Sequence, residues 1–231
     1  MEDSDSYRAL LESDPDEWPR LERLTHITIS RFHRDRGTFE FLLADVLPTL
    51  AGSAAVVRAW SAGCASGEEA YTLAIMWELG LAERFPAVTF RVLATDVDET
   101  MLARARRGCY SAGSLRELPE AWKTAAFAAR GGELCVTRRV SEAVSFARHD
   151  IRSDPLPGDG FDLVLCRNLA FTYFDEADQR AVAAYLAGAL RDGGGLVLGR
   201  HETLPSGVGG FSSWDDGARV YRRRLSGAAE T

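Results

Sequence analysis

Residues 56–96 constrain the fold of this chain more than any other stretch. An apolar run ends at Gly63, and a second glycine, Gly67, follows four residues later. A segment with helical periodicity comes next, and then a second apolar run that ends at Asp96. This succession predicts a strand, a turn, a helix and a second strand, which is how an open parallel sheet builds a nucleoside pocket at the carboxyl ends of its strands.

The residues of this turn have predictable roles. Gly63 and Gly67 allow a sharp turn out of the strand, and they allow a ligand to approach the main chain without a Cβ in the way. Ser66 and Glu69 have the S-x-x-E spacing of a capping box, so Ser66 is predicted to cap the helix. Asp96 follows its strand at the point where a carboxylate can accept hydrogen bonds from the two hydroxyls of a ribose.

The spacing of the glycines indicates which ligand the turn would take. The pattern is G-x-x-x-G, which differs from the G-x-G-x-x-G of dinucleotide-binding folds and from the phosphate-cradling G-x-x-x-x-G-K-[ST] loop. A nucleoside without phosphates fits better, because Glu69 could pair with a cationic centre but would repel phosphate. These features predict a site for S-adenosylmethionine (SAM).

Charge and hydropathy exclude several classes of protein. The formal net charge is −7, whereas a broad nucleic-acid-binding surface needs clustered positive charge. The first residues lack the basic and apolar pattern of a signal peptide, and no apolar run is long enough to span a membrane. We therefore expect a cytoplasmic protein that neither inserts into membranes nor binds nucleic acid.

The cysteines and histidines show no spacing typical of a metal site. The chain has four cysteines, far apart and without a C-x-x-C pair, and we expect all of them to be buried free thiols in a reducing compartment. They are Cys64, Cys109, Cys135 and Cys166. The four histidines have no H-x₃-H or H-E-x-x-H spacing, so no metal is predicted.

Strand and helix patterns alternate along most of the chain. Residues 1–24 are predicted to form a short helical lead-in, and residues 25–231 a single domain. Further parallel strands are expected at 143–147 and 161–166, and an antiparallel strand at 218–224. Together they predict an α/β fold with one doubly wound, mostly parallel sheet and a C-terminal antiparallel hairpin.

Two segments give weaker signals. Residues 109–130 show no clear strand pattern, and residues 133–140 are expected to make an antiparallel excursion. A run of three glycines, residues 193–195, is predicted to break the chain between a helix and the strand at 196–199.

Several motifs stand in the order and character of the CheR-type chemotaxis methyltransferases. The most specific are W-S-A-G-C-x-S-G-E-E, which begins at Trp60, and C-R-N, which ends at Asn168. The resemblance covers about residues 25–224. It implies the seven-stranded, Rossmann-like fold of class I SAM-dependent methyltransferases. It also implies methyl transfer from SAM to the side-chain carboxylate of chemoreceptor glutamates, with S-adenosylhomocysteine as the product.

Matching residue by residue, the resemblance also implies the site. The aromatic near the transferred methyl group would be Tyr173, and Arg34 would orient a carboxylate of SAM or of the acceptor by a two-pronged contact. Together with Gly63 of the turn, the expected SAM-binding residues are Thr28, Ser30, Arg34, Glu69, Asp96, Asp150, Ile151, Arg167 and Asn168.

The chain departs from the family pattern in four ways. Thr28 replaces an Asn, His33 replaces a second Phe, and Asp150 replaces an Asn expected to meet the adenine. One extra residue precedes Tyr173, so that a gapless match places Thr172 opposite the acceptor. Only residues 1–24 precede the first motif, where the family has a separate N-terminal helical domain.

Methyl transfer depends mainly on holding the donor and the acceptor in line. A glutamate carboxylate, with an ordinary pKa of about 4.3, needs no base at neutral pH. An amine or hydroxyl acceptor would need one, which His33 or His201 could supply. Nucleobase methylation is disfavoured because Leu169 follows Asn168 in place of an N-P-P-Y-like run. Two alternatives remain open: methylation of a small molecule, and a SAM-binding sensor without turnover.

Overall fold

Two parallel strands, β1 (Val56–Ala62) and β2 (Thr89–Asp96), lie near the centre of a seven-stranded sheet. The computed structural model describes Asp14 and residues 30–224. Within them the sheet order is β6-β2-β1-β7-β8-β10-β9. The first five strands in this order are parallel, and β10 and β9 pair antiparallel. The predicted doubly wound sheet with a C-terminal antiparallel hairpin is confirmed, whereas the lead-in predicted for residues 1–24 lies almost wholly outside the described residues.

The remaining strands are β3 (Cys109–Tyr110), β4 (Phe127–Arg130), β5 (Glu133–Val136), β6 (Val144–Arg148), β7 (Phe161–Cys166), β8 (Leu190–Leu198), β9 (Phe211–Asp215) and β10 (Val220–Arg223). The α-helices are α1 (Arg36–Phe41), α2 (Leu47–Ala51), α3 (Glu68–Met76), α4 (Glu99–Arg107), α5 (Glu120–Ala126), α6 (Arg138–Ser141), α7 (Ala170–Tyr173) and α8 (Glu176–Ala189). A π-helical turn, Leu42–Val46, joins α1 to α2, and another, Trp77–Leu81, extends α3.

Alternating side chains of the central strands belong to two hydrophobic cores, one on each face of the sheet. Val57 and Ala59 of β1 are fully buried in the cluster that contains Leu73 of α3. Trp60 points to the opposite face, where it joins the cluster formed with Leu186 of α8. Because successive side chains of a strand point to opposite faces, helices on both faces explain why β1 is apolar along most of its length.

Two helices begin with an aspartate cap. The Asp98 carboxylate accepts hydrogen bonds from the backbone N–H groups of Thr100 and Met101 and caps α4. Gly108 ends that helix in the left-handed region, with φ of 62°. Asp175 likewise caps α8.

The segment after α4 differs from the prediction. Residues 109–130, expected to lack strands, contain β3 and β4, which flank β5 in a small antiparallel sheet. Cys109 and Cys135 are direct partners in the β3–β5 register and are joined by a disulfide bond. The prediction of four free thiols is therefore wrong for this pair, and the argument for a reducing compartment loses this support. Cys64 and Cys166 are free and buried, as predicted.

The glycine run at 193–195 also has a different role from the one predicted. It lies inside β8, which begins directly after α8 at Leu190. Phe161 pairs with Leu190, and Leu163 pairs with Gly195, so extra residues of β8 oppose a single residue of β7. The glycines thus form a bulge within the strand, where a Cβ on Gly194 would meet backbone oxygens at 3.0 Å.

Candidate functional site

Four parallel strands end at one edge of the sheet and bring the predicted site residues together. Ala62 of β1 pairs with Thr95 of β2, and Asp96 pairs with Arg148 of β6. β7 lies on the other side of β1. The residues that follow each strand therefore lie at the same carboxyl edge, where open α/β sheets bind their ligands.

The glycine turn after β1 is fastened to the end of β2. The N–H groups of Gly63 and Cys64 both donate to the Thr95 carbonyl oxygen, at 2.8 and 2.9 Å. Gly63 and Gly67 have φ of 75° and 90°, and Ala65 between them has φ of 47°. The predicted need for glycine is thus confirmed in the backbone, since L side chains rarely adopt these angles.

The space beside Gly63 is taken by a side chain of the protein. A Cβ at Gly63 would lie 2.5 Å from Cδ2 of Leu169, which belongs to the turn after β7. At Gly67 the neighbours are Ala105 and Phe146. In the structure the protein itself makes the close approaches at these two Cβ positions, and the predicted approach of a ligand to the main chain stays a prediction.

The predicted capping box is wrong. Gly67 is the N-cap of α3, with no side-chain capping bond, and the Ser66 hydroxyl donates to the Glu68 carboxylate. Glu69 turns instead toward β1 and β7. Its Oε1 accepts from the Ser61 hydroxyl at 2.8 Å, and its Oε2 accepts from Arg167 Nη1 at 2.9 Å.

Asp96 holds the turn after β1 as well as its own. Its Oδ2 accepts from the Ala65 N–H at 2.7 Å, and its Oδ1 accepts from the Asp98 N–H at 3.0 Å. A carboxylate oxygen can accept two hydrogen bonds. Each oxygen of this half-buried side chain therefore retains accepting capacity, which suits the two hydroxyls of a ribose.

Arg167 is the centre of a buried charge cluster at the end of β7. Its side chain is 3% exposed and pairs with both Glu69 and Asp35, at 2.9 and 2.7 Å. Nη2 also donates to the Arg34 carbonyl oxygen, and the guanidinium lies over the Phe39 ring. A buried guanidinium is tolerated only when it is paired in this way. Arg167 thus ties the segment before α1 to the first turn of α3.

The end of β6 supplies two more predicted residues. Asp150 follows this strand beside Asp96, and its carboxylate accepts from the Arg152 N–H at 2.9 Å. Ile151 is buried in the same apolar cluster as Trp60. Their position at the carboxyl edge agrees with the predicted adenine contact.

The structure describes most of the remaining predicted residues. Ser30 is half-buried, and Arg34 is fixed through its backbone by Arg167. Tyr173 ends α7 and is 74% exposed, which makes it the most exposed of the large hydrophobic side chains in the described part of the chain. Thr28 lies outside the described residues.

Glu202 lies in the site region, although no role was predicted for it. It is 2% exposed and accepts hydrogen bonds from the turns after β7 and β8. Two of its partners, Asn168 and Leu169, are more than thirty residues away in sequence. No local pattern could have indicated them.

Two of the three described histidines, His33 and His149, are buried, whereas His201 is exposed. The ring of His33 is buried beside the Glu117 carbonyl oxygen, and burial lowers its pKa. His149 is buried and bonded to the Tyr185 hydroxyl and the Pro155 carbonyl oxygen. No hydrogen bond between a histidine ring and a carboxylate occurs within residues 30–224.

The two free thiols are equally unsuited to act as nucleophiles. Burial raises the pKa of Cys64, and it raises the pKa of Cys166 to about 12. Both therefore stay protonated at neutral pH.

The described residues contain neither a metal-binding cluster nor a membrane-spanning helix. No group of three or more His, Cys, Asp or Glu side chains that could hold a metal ion is present among them. None of their helices is both long and apolar enough to cross a membrane.

Comparison with known proteins adds family evidence. Residues 28–216 match the family described as CheR methyltransferase, SAM binding domain. A probable chemotaxis protein methyltransferase of Rhizobium etli is 32% identical over 231 residues, which cover 96% of this chain and 85% of that protein. A chemotaxis protein methyltransferase of Listeria innocua is 36% identical, with 78% of this chain and 67% of that protein covered.

Other similarities are more limited in scope. An uncharacterized 104.1 kDa protein of Rhodobacter capsulatus is 36% identical over 98% of this chain, but the chain spans only 24% of that protein. Among solved structures, the SAM-bound amino pentose methyltransferase CalS10 of Micromonospora echinaspora is 25% identical, with a TM-score of 0.39. That similarity covers 68% of this chain and 48% of CalS10.

Proposed function

Because the chain belongs to the CheR methyltransferase family and is a SAM-dependent methyltransferase, we propose that it transfers the methyl group to a carboxylate oxygen of a protein glutamate. The observation that carries the proposal is the site itself. It offers fixed charges and hydrogen bonds at the carboxyl edge, but no histidine–carboxylate pair among the described residues. A carboxylate acceptor requires no proton to be removed.

The residues at this edge fit SAM by their chemistry. Within residues 30–224, each carboxylate oxygen of Asp96 and Glu69 accepts one hydrogen bond, so these oxygens can also receive ribose hydroxyls and an ammonium group. Both are acidic, which favours a cationic ligand without phosphates. When bound, SAM supplies an electrophilic methyl group on a sulfonium.

Further contacts to SAM are part of the proposal. They are Thr28, Ser30, Gly63, Asp150, Ile151, Arg167 and Asn168. Asp150 and Ile151 would border the adenine, because they follow β6 next to Asp96.

Two residues are proposed to act on the acceptor. Arg34 would orient a carboxylate, since its backbone is fixed beside Arg167 by a hydrogen bond of 3.2 Å. Tyr173 would contact the acceptor next to the transferred methyl group, because its exposed ring can meet an incoming peptide. Thr172 is less suited to this role, since its hydroxyl is already bonded to Glu202 at 2.5 Å. We also propose that residues 25–231 form one catalytic unit and that it acts in the cytoplasm.

The experiment uses SAM with a radiolabelled methyl group. The purified chain is incubated either with cytoplasmic fragments of chemoreceptors or with a metabolite extract. We expect label on the receptor fragments that base releases as methanol, which is diagnostic of a carboxyl methyl ester. Fragments in which the accepting glutamates are replaced by glutamine are the matched control and should stay unlabelled.

The other outcomes separate the alternatives. Label that appears only in the small-molecule fraction would refute protein carboxyl methylation and indicate a small-molecule acceptor. Tight binding of SAM with no labelled product in either incubation would indicate a sensor without turnover.

A further inference from the structure

Glu202 is a buried carboxylate for which the proposed reaction has no direct use. We propose that it is a positioning residue, which fixes the cofactor side and the acceptor side of the site through one side chain. The inference rests on the proposed function only for its acceptor side. Its cofactor side depends on SAM binding alone.

Four donors surround this carboxylate. Oε2 accepts from the N–H groups of Gly199 and Asn168, at 2.6 and 2.8 Å. Oε1 accepts from the Leu169 N–H at 3.2 Å and from the Thr172 hydroxyl at 2.5 Å. These bonds fill both oxygens of the side chain, which is 2% exposed. Within the described residues all donors to this carboxylate are neutral, and because they lie in the turns after β7 and β8 and in α7, the carboxylate holds these three segments together.

The cofactor side begins at Asn168 and Leu169. Asn168 has φ of 55°, in the left-handed region that Asn adopts more readily than other residues with a side chain. The bond from its N–H to Glu202 constrains this conformation. The next residue, Leu169, packs its side chain against Gly63 in the turn after β1. Glu202 is therefore connected to the turn after β1 through the Leu169 side chain.

The fit between the two turns leaves little freedom. A Cβ at Gly199 would lie 2.6 Å from Glu202 Oε2 and 2.7 Å from Asn168 Nδ2. The absence of a side chain at Gly199 is thus what allows the carboxylate and the amide to lie against the end of β8. The Glu202 N–H also donates back to the Gly199 carbonyl oxygen at 2.9 Å, which closes the turn.

The acceptor side runs through Thr172. Its hydroxyl lies in the single turn of α7, one residue before Tyr173. A helix of four residues has little stability of its own, so a bond from its middle to a buried carboxylate helps to fix its direction. Glu202 thereby sets where Tyr173 is presented.

The inference predicts a separation between two variants. Leu169→Ala removes the contact with Gly63. Because a smaller side chain no longer packs against the turn after β1, we expect binding of S-adenosylhomocysteine to weaken by about tenfold. Thr172→Val removes only the hydroxyl. We expect its affinity for S-adenosylhomocysteine to stay within twofold, while kcat/KM for the acceptor falls by about 100-fold, the cost of a small misplacement of reacting groups.

Glu202→Gln should show both effects. The amide of Gln would turn an N–H₂ group toward backbone N–H donors, so at least one of the two turns is released. The matched control is Asp162→Asn. Asp162 is also a buried carboxylate of β7, but it lies at the amino end of the strand, where it accepts from the Arg58 N–H and from Arg191.

For the wild type and the four variants, calorimetry measures the affinity for S-adenosylhomocysteine, and steady-state kinetics measure kcat/KM for methylation. Both are measured at a temperature where thermal unfolding shows each protein to be folded. We expect Asp162→Asn to lower Tm without changing affinity or kcat/KM. Folded Glu202→Gln protein that matches the wild type in both measurements would overturn the inference. If Glu202→Gln does not fold, the other two substitutions decide, because identical effects of Leu169→Ala and Thr172→Val would equally overturn it.

Binding is measured without any acceptor. A wild-type protein that binds S-adenosylhomocysteine but methylates no glutamate would refute the proposed function, and the calorimetric comparison would still test the cofactor side of Glu202.

Discussion

Replacing Asp96 with alanine should weaken the binding of S-adenosylhomocysteine by about 100-fold. Each oxygen of this carboxylate accepts one backbone N–H and keeps capacity for a ribose hydroxyl. A hydrogen bond to a charged group contributes about 1.5 kcal/mol at the lower end of its range, so two bonds contribute about 3 kcal/mol. Since about 1.4 kcal/mol corresponds to a tenfold change in affinity, the expected loss is about 100-fold.

The substitution also releases the Ala65 N–H, so a control must separate ligand contact from loss of loop structure. Asp98→Ala provides it, because Asp98 lies two residues away and accepts two backbone N–H groups at the start of α4. Loss of this cap should cost about 1 kcal/mol of stability. We expect the affinity of Asp98→Ala for the ligand to remain within twofold of the wild type.

Calorimetric titration of both variants with S-adenosylhomocysteine is the assay, at a temperature where thermal unfolding shows that each is folded. Equal affinities of Asp96→Ala and Asp98→Ala would refute the assignment of Asp96 to the ribose. A loss of affinity in Asp96→Ala without any loss of affinity in Asp98→Ala would support that assignment.

Two further predictions concern stability. Burial lowers the pKa of His33 below 6.5, so at low pH the unfolded chain takes up a proton that the folded chain does not. The free energy of unfolding should therefore decline as the pH falls below about 6.5. When Tm is measured from pH 7.5 to 5.5, its decline should be shallower in His33→Phe than in the wild type, and parallel curves would contradict this reasoning. Reduction of the Cys109–Cys135 disulfide, which spans 26 residues, should lower the free energy of unfolding by about 3.5 kcal/mol in urea titrations. Reductant should leave a variant with serine at both positions unchanged, and an unchanged wild-type midpoint would show that the bond does not stabilise the fold.

The fold could be predicted because its signals are local. The strand expected at 161–166 has those bounds as β7, all of its residues are buried, and its apolar run is visible without any knowledge of its neighbours. The same holds for Asp98 and Gly108, which mark the two ends of α4. Strand and helix order then determines a parallel sheet, because parallel neighbours need a crossover between them.

The errors arise where a residue's partner is distant in sequence. Cys109 and Cys135 face each other only through the register of β3 and β5, which no spacing in the sequence specifies. Gly194 and Gly195 resemble a turn locally, but they fit the bulge of β8 against β7. In both cases strand pairing changed the role of residues whose local pattern indicated something else.

The site shows the same division. Its location at the carboxyl edge follows from strand order, and Asp96, Asp150 and Arg167 lie there as expected. The partner of Glu69 was predicted wrongly, because the capping-box spacing is local whereas Arg167 is 98 residues away. A charge-assisted bond to a buried guanidinium is stronger than a capping bond to a backbone N–H, so the distant partner prevails.

Acidic side chains join neighbouring turns along the carboxyl edge in a continuous series. Asp96, the last residue of β2, accepts a hydrogen bond from Ala65 in the turn after β1. Glu69, from the helix that follows that turn, holds Arg167 at the end of β7. Glu202 follows β8 and accepts a hydrogen bond from the N–H of Asn168, the residue after Arg167. Because each acid and its partner come from different strands, the geometry of the site exists only when the four strands are assembled in order. Ligand binding and the folding of the sheet must therefore be coupled, since a ligand held by these turns binds the assembled sheet and not the unfolded chain.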